Sequence, residues 1–325
     1  KFILGNIVRP HSVFATLCPR ITSHNEFKGA CDMIIRCWGS RGSVPVSGYE
    51  YLKYGGDTTC MEIVGNDGTI IIVDAGTGIR KLGNDLSRGG LKDFNMVFTH
   101  AHWDHLMGFP FFKPVYTKGI SLHLYGCPFA QASIKDILSK SMSPPYFPIN
   151  LEDLRADISY HGACSGGFDI GSIRVTPILL SHPNQGIGYK FVEEGKSFVF
   201  LTDNELAYKH PGGCDYREYL EFSANADLLI HDSEYTREEY RTTRGWGHST
   251  FEDSLRLAME AHVRQFGLFH HNQDRTDSAL DGIMETCENT IDDHHVALHC
   301  FAVSAGTEIP LSMVAEQKRR ERWKR

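Results

Sequence analysis

The segment HAHWDH at residues 100–105 constrains this chain more than any other part of its sequence. Four of its six side chains are of types that bind metal ions. Two histidines separated by one residue on an extended chain point to the same side, so His100 and His102 can bind one ion. Asp104 and His105 follow and can face a second ion. Imidazole with carboxylate suits zinc, and also manganese or iron, so the segment predicts two divalent metal ions, with zinc preferred.

Short runs of β-branched or aromatic residues recur along the chain, and most of them stop just before an ionisable residue. The runs predict strands at Ile34–Trp38, Ile70–Val73, Met96–Phe98, Ile173–Leu180, Ile187–Val192, Ser197–Leu201, Leu228–Ile230 and Gly267–Phe269. The ionisable residues beyond them are Asp74, His100, His182, Asp203, Asp232 and His270. Because the same ends of neighbouring strands meet at one edge of a sheet, we expect these side chains to converge. The pattern predicts an α/β sandwich.

Two local sequence signals predict individual elements, a hairpin turn and a helix. Residues 193–196, Glu-Glu-Gly-Lys, predict a hairpin turn between two of the strands. The clearest helix is predicted from about 249 to 263, with Ser249 and Glu252 as its capping box. Residues 108–150, rich in proline and aromatic residues, predict a shaped loop region.

The HxHxDH pattern after a strand resembles the signature of the metallo-β-lactamase superfamily. Later motifs follow in that superfamily's order: IIIVDAG at 70–76, LLSHP at 179–183, FLTDNE at 200–205 and LFHH at 268–271. The resemblance implies the αββα sandwich of that fold. It implies that His182 completes the ligands of the first metal, that Asp203 bridges both ions, and that His270, rather than His271, binds the second. It also implies that Asp74 supports the site without binding metal.

A further pair of segments resembles the phosphodiesterase branch of that superfamily, which includes ribonuclease Z and cyclic-nucleotide phosphodiesterases. These segments are LLIHDSEYT at 228–236 and GWGHST at 245–250. The resemblance implies that His248 contacts the phosphate or protonates the leaving group, and that Asp232 orients His248. A departing alkoxide needs a proton, which an Asp–His pair can deliver. With Asp203 orienting the hydroxide that two metal ions activate, the expected reaction is hydrolysis of a phosphate diester.

Flanking segments favour a small cyclic phosphate diester as substrate, of the 3′,5′-cyclic AMP or GMP type. CWGSRGS at 37–43 and YGGDTTC at 54–60 resemble bacterial cyclic-phosphodiesterase-like proteins. A net charge of −7 and the lack of a long Gly- and Lys-rich arm argue against nucleic acid as a partner. Three alternatives stay open: a ribonuclease Z-like nuclease, an acyl hydrolase of the lactonase or β-lactamase type, and a non-catalytic sensor module.

The remaining expectations concern organisation and location. Residues 1–33 read as an N-terminal extension, 34–310 as the hydrolase domain, and 311–325 as a basic C-terminal tail. No apolar run approaches the ~20 residues that span a bilayer, so no membrane partner is expected. Nine cysteines without a C-x-x-C pair argue against a disulfide framework and suit a reducing, cytoplasmic location. A homodimer is compatible with these features.

Overall fold

The structure, a computed structural model, describes residues 33–127, 133–162 and 166–311. The first strand begins at Met33 and the last ends at Leu311, so nearly all of the predicted extension and basic tail lie outside the described residues. Among the described residues, no helix is long and apolar enough to cross a membrane.

Fourteen strands among the described residues form two seven-stranded sheets. The first sheet has the order β14-β1-β2-β3-β4-β5-β6, and the second β13-β12-β11-β10-β9-β8-β7. The strands are β1 Met33–Gly39, β2 Cys60–Val64, β3 Ile70–Val73, β4 Asp93–Val97, β5 Ser121–Gly126, β6 Asp157–Gly162, β7 Phe168–Ile170, β8 Ile173–Leu180, β9 Gly186–Glu193, β10 Lys196–Leu201, β11 Leu228–Asp232, β12 Gln265–Phe269, β13 His299–Ala302 and β14 Glu308–Leu311. Each sheet runs parallel on one side, β3 to β6 and β10 to β13.

In the part of the chain that the structure describes, seven α-helices accompany the sheets: α1 Ile79–Gly89, α2 Trp103–Leu106, α3 Ile134–Ser141, α4 Tyr216–Ser223, α5 Arg237–Thr243, α6 Phe251–Glu260 and α7 Asp277–Asp293. The predicted loop region at 108–150 contains α3 and also strand β5, neither of which the sequence pattern indicated. Each of these two elements is short and has few apolar positions, such as Leu122 and Leu124 in β5 and Leu138 in α3. The hydrophobic pattern of each element therefore extends over only a few residues.

Three apolar cores lie between four layers, which are arranged in the order helix, sheet, sheet, helix. In β3, Ile71 and Val73 point into the core between the sheets, whereas Ile70 and Ile72 pack against the helices. Alternate residues of a strand face opposite sides, so a strand buried on both faces is apolar throughout. A third core joins the second sheet to α4, α6 and α7. The predicted αββα sandwich is confirmed.

Two local predictions have different outcomes. The hairpin between β9 and β10 forms at Glu194 and Gly195, both with positive φ (47° and 77°) as a tight turn requires. The capping prediction is wrong by one residue, because Thr250 caps α6 by accepting a hydrogen bond from the backbone of Asp253. Ser249 is instead buried, and its hydroxyl bonds to the backbones of Asn204 and Leu206.

Most of the cysteines that the structure describes are reduced. Cys37, Cys60, Cys214, Cys287 and Cys300 are free. Cys127 is an exception, because it is disulfide-bonded. Among the described residues, the three apolar cores hold the sandwich together.

Candidate metal centre

The ionisable residues at the strand ends converge at one edge of the sandwich. Asp74 follows β3, His100 follows β4, His182 follows β8, and Asp203 and His270 follow β10 and β12. Asp74, Asp203 and His270 have left-handed backbones, with φ of 60°, 51° and 57°. Such a conformation costs about 1–3 kcal/mol in a residue other than glycine and persists where the surrounding structure enforces it. The sharp turn after each strand therefore aims its side chain inward.

The first ligand group consists of His100, His102, His182 and Asp203, whose potential ligand atoms lie within 4.8 Å of one another. Nδ1 of His102 is 3.0 Å from Nε2 of His182, and Nε2 of His100 is 3.4 Å from Oδ2 of Asp203. Burial lowers the pKa of His182 to about 3 and also lowers the pKa of His100 and His102. Neutral imidazoles keep a lone pair free for a cation.

The second ligand group consists of Asp104, His105, His270 and, again, Asp203. Nε2 of His105 is 3.2 Å from both Asp104 and Asp203, and Nε2 of His270 is 3.2 Å and 3.3 Å from the same two carboxylates. Backbone N–H of Ser43 donates to the carboxylate of Asp104 at 2.9 Å. Asp203 therefore lies between the two groups and contributes to each.

The donor atoms fit two divalent cations. Nε2 of His100 and Nε2 of His105 are buried and lie 3.2–3.4 Å from carboxylate oxygens, yet neither makes a hydrogen bond. Such an arrangement is expensive for a polar atom unless it binds something else. The groups combine imidazoles with carboxylates, which is the donor set that zinc, manganese and iron accept. Two ligand groups that share one carboxylate can hold two ions close together, as in dinuclear sites.

Outer partners fix the orientation of the histidine rings. Nδ1 of His105 donates to Asp74 at 2.7 Å, and Nδ1 of His182 donates to the carbonyl of Gly247 at 2.9 Å. Nδ1 of His270 donates to Glu234 at 3.0 Å. Each bond holds one ring nitrogen on the outside and leaves Nε2 facing the cluster, as at metal sites in general. Asp74 thus lies where the resemblance implied.

His248 lies beside both ligand groups. Its Nδ1 donates to Asp232 at 2.7 Å and is 3.4 Å from Glu234. Burial opposes protonation, but these two carboxylates outweigh it and raise the pKa of His248 to about 9. The His248 ring stacks on that of His270, with centroids 4.6 Å apart, and lies 5.2 Å from that of His182. A protonated imidazole in this place can donate through Nε2.

Other residues fall outside the cluster or were missed. His271 is buried, with its Nε2 bonded to the carbonyl of Val303, and belongs to neither ligand group. Burial lowers its pKa to about 3. Two glutamates were not predicted: Glu234, which contacts both His248 and His270, and Glu205, which binds the backbone of Gly245 and Gly247. Their signal was only an acidic residue two positions beyond Asp232 and Asp203 respectively.

Comparison with known proteins gives the family and relatives. The family described as the beta-lactamase superfamily domain matches residues 69–271. Ribonuclease Z of Haloferax volcanii is 22% identical over 254 residues, which cover 64% of this chain and 77% of that protein. Ribonuclease Z of Picrophilus torridus is 22% identical over 314 residues, which cover 83% of this chain and 96% of that protein.

Solved structures share the fold. The metallo-beta-lactamase fold protein YhfI from Bacillus subtilis superposes with a TM-score of 0.63 at 17% identity, covering 86% of this chain and 99% of that one. Unliganded yeast PDE1 superposes with a TM-score of 0.63 at 14% identity, covering 87% and 100%. Human tRNase Z, short form, superposes with a TM-score of 0.60 at 16% identity, covering 86% of this chain and 100% of that one. Because the family match spans more than half of its 325 residues, the chain belongs to the beta-lactamase superfamily, as its motifs predicted.

Proposed function

We propose that this protein is a phosphodiesterase that uses two divalent metal ions, and that its substrate is a small cyclic phosphate diester, most simply a 3′,5′-cyclic nucleotide. The observation that carries the proposal is the Asp232–His248 pair, which lies against both ligand groups. A proton donor held beside them suits the expulsion of a poor leaving group such as a ribose hydroxyl.

The ligand assignments follow from the two groups. His100, His102 and His182 would hold one ion, and Asp104, His105 and His270 the other, with Asp203 shared. When bound, the ions supply Lewis-acid activation of water and neutralise the phosphoryl oxygens. Zinc matches the histidine-rich donor set best, with manganese and iron as alternatives.

The chain's own residues account for the proton transfer. Asp232 is fully buried and accepts hydrogen bonds from the backbone N–H groups of Asn204 and Glu234, which hold it in place. It accepts a hydrogen bond from Nδ1–H of His248 and thereby fixes the orientation of that ring. His248 then delivers its Nε2 proton to the departing oxygen. Asp203, shared by both ligand groups, would orient the attacking water.

A ribonuclease Z-like nuclease is the second candidate, because the curated relatives described above are ribonucleases Z. The two candidates share the site and differ in the rest of the substrate. A net charge of −7 disfavours a long polyanion, because a protein that tracks a nucleic-acid backbone needs a basic face. The fold likeness to yeast PDE1 is compatible with either reading.

One substrate panel separates the candidates. Metal-loaded protein would be assayed on 3′,5′-cyclic AMP and GMP, bis(p-nitrophenyl) phosphate, a 3′-extended tRNA precursor, a lactone and a β-lactam, with chelator-treated protein as control. The proposal predicts metal-dependent turnover of cyclic nucleotide with a kcat/KM well above that for tRNA. Preferential cleavage of the tRNA precursor would establish the nuclease instead. Turnover of the lactone or β-lactam with no phosphodiester hydrolysis would overturn the proposal.

A further inference from the structure

A buried carboxylate holds the loop that carries His248. Glu205 is 1% exposed and accepts four hydrogen bonds, from the backbone N–H groups of Gly245 (2.7 Å) and Gly247 (2.8 Å), from Nε2 of His210 (2.7 Å) and from the hydroxyl of Tyr240 (2.5 Å). Its backbone N–H bonds in turn to the carbonyl of Ser181, beside His182. Glu205 thus ties the loop at 245–248 to the segment that carries His182, in addition to the direct bonds of Gly247 to His182 and of His248 to Asp232.

The anchored loop presents an exposed tryptophan. Trp246 lies between the two glycines that Glu205 binds, yet its own side chain is 62% exposed. Gly245 and Gly247 have φ of 85° and 99°, conformations that other residues adopt only under strain. A buried carboxylate and two glycines therefore hold a turn whose large apolar ring is exposed to water, two residues before His248. Such rings in fixed positions commonly bind ligands.

Two neighbours add to this surface. Arg244 is exposed, and its guanidinium lies over the ring of Tyr208 at 5.6 Å from the centroid. Tyr208 is 40% exposed, and its carbonyl accepts the hydroxyl of Ser181, the residue before His182. Tyr208, Arg244 and Trp246, which we call the aromatic rim, are therefore all linked to the first ligand group. Aromatic rings with an arginine are the groups on which nucleobases stack.

We propose that the aromatic rim is a subsite for the nucleobase of a nucleotide substrate, with Trp246 as its platform and Glu205 as the positioning residue that fixes the loop. This inference rests on the proposed phosphodiesterase function, and it narrows the substrate from phosphodiesters in general to those of nucleosides. The phosphate would lie at the metal centre while the base stacks on the indole.

Binding of the reaction product tests the subsite without turnover. Calorimetry on metal-loaded protein would compare adenosine 5′-monophosphate with ribose 5-phosphate, which lacks the base. We expect the nucleotide to bind the unmodified protein about tenfold more tightly or better, and Trp246→Ala to reduce that ratio below about threefold. Trp246→Phe should keep most of the preference for the nucleotide, because an aromatic ring remains. Tyr160→Ala, which removes an exposed aromatic residue on β6, is the matched control and should keep all of it.

Glu205→Gln tests the anchor separately. A glutamine amide would place an N–H₂ group against donors, so the loop would lose part of its hydrogen bonding while Trp246 stayed intact. The preference for the nucleotide over ribose 5-phosphate should then fall towards the Trp246→Ala value. Any change in metal binding affects both phosphates alike and cancels in the ratio.

The outcomes distinguish this inference from the function on which it rests. Equal binding of the two phosphates by the unmodified protein, or a preference that survives Trp246→Ala, would overturn the subsite even if cyclic nucleotides were hydrolysed. A Trp246-dependent preference in a protein that hydrolyses no phosphodiester would support the subsite and refute the phosphodiesterase. Glu205→Gln with the full preference would refute the anchoring role alone.

Discussion

Asp203 is the side chain on which both ligand groups depend, because it is the one residue common to them. Burial alone would raise its pKa, but His270, His105 and His100 around it lower the pKa well below the usual range. The carboxylate is therefore ionised and surrounded by imidazoles, a setting that favours cations on both sides of it.

Asp203→Asn removes this charge at nearly constant shape. We expect the metal content to fall from two ions per chain to one or fewer, since an amide is a poor bridging ligand. Elemental analysis after dialysis at defined free zinc measures this directly. Asp215→Asn, at the N-cap of α4 and remote from the cluster, is the control. Two ions retained in Asp203→Asn would remove the bridging role.

His248→Ala separates metal binding from proton transfer. The variant should keep its metal content and lose about 10²–10⁴-fold in kcat on a cyclic nucleotide, the range for a general acid. The loss on bis(p-nitrophenyl) phosphate should be much smaller, because p-nitrophenolate departs without a proton. His123→Ala, on β5, provides a control histidine. Equal losses on both substrates would indicate that His248 binds phosphate instead.

The candidate ligands were predictable because their motifs are local and each follows a strand. His100, His102, Asp104 and His105 come from one segment, and the others were placed by resemblance to a superfamily. Glu234 and Glu205 were not predictable, because their roles depend on contacts with residues 36 and about 40 positions away. A lone glutamate in a sequence carries no sign of which loop it will hold.

Among the loops, Gly245 and Gly247 differ in the space available for a side chain. A Cβ on Gly247 would meet Nδ1 of His182 at 2.1 Å, whereas a Cβ on Gly245 would meet nothing within 4 Å. Both have positive φ, so alanine strains the backbone at either position. Only at Gly247 does it also displace a candidate metal ligand.

Gly247→Ala should therefore weaken metal binding at the first ligand group, whereas Gly245→Ala should retain two ions and lose only about 1–3 kcal/mol of stability through backbone strain. Chelator competition for metal affinity and urea denaturation for stability provide the two measurements. Similar metal affinity in both variants would contradict the role of Gly247 in seating His182.

The start of α6 supplies a second test. Thr250→Ala should lower the free energy of unfolding by about 0.5–2 kcal/mol, because the cap that accepts from Asp253 is lost. Thr250→Ser should restore most of it, because serine keeps a hydroxyl that accepts from the Asp253 backbone and donates to the Asp253 carboxylate. Denaturant unfolding gives both values. No loss in Thr250→Ala would show that this cap does not stabilise the helix.

Helix boundaries were harder to predict than strands for a physical reason. Serine and threonine both cap helices, and residues 249–250 present both in succession, so sequence alone does not decide between them. The choice falls on Thr250 because tertiary bonds to Asn204 and Leu206 occupy the hydroxyl of Ser249. The strands β3 and β8, in contrast, have the bounds that their apolar runs predicted.

For the whole molecule, the metal centre joins the two sheets. His100 to His105 extend from the first sheet, and His182, Asp203 and His270 from the second. Ions held between them would clamp one sheet to the other. The αββα arrangement was predictable from the strand pattern and the superfamily motifs. The order of the strands and the pairing of β14 with β1 were not, because they join distant parts of the chain.

Removal of the ions should therefore lower thermal stability. A ligand at 100 times its dissociation constant adds about 2.7 kcal/mol, which in a domain of this size shifts Tm by about 5 °C or more. Calorimetry before and after chelation, with zinc added back, measures the shift. A melting temperature that does not respond to chelator would show that the centre does not stabilise the sandwich.

None of the seven proposed ligands lies within a strand; all are on loops or on the short helix α2. We therefore expect the three cores to form without the ions, and metal insertion to follow folding. Apoprotein prepared without metal should be reconstitutable with zinc, manganese or iron in parallel. The metal found in the cell would then report what was available at the moment of loading.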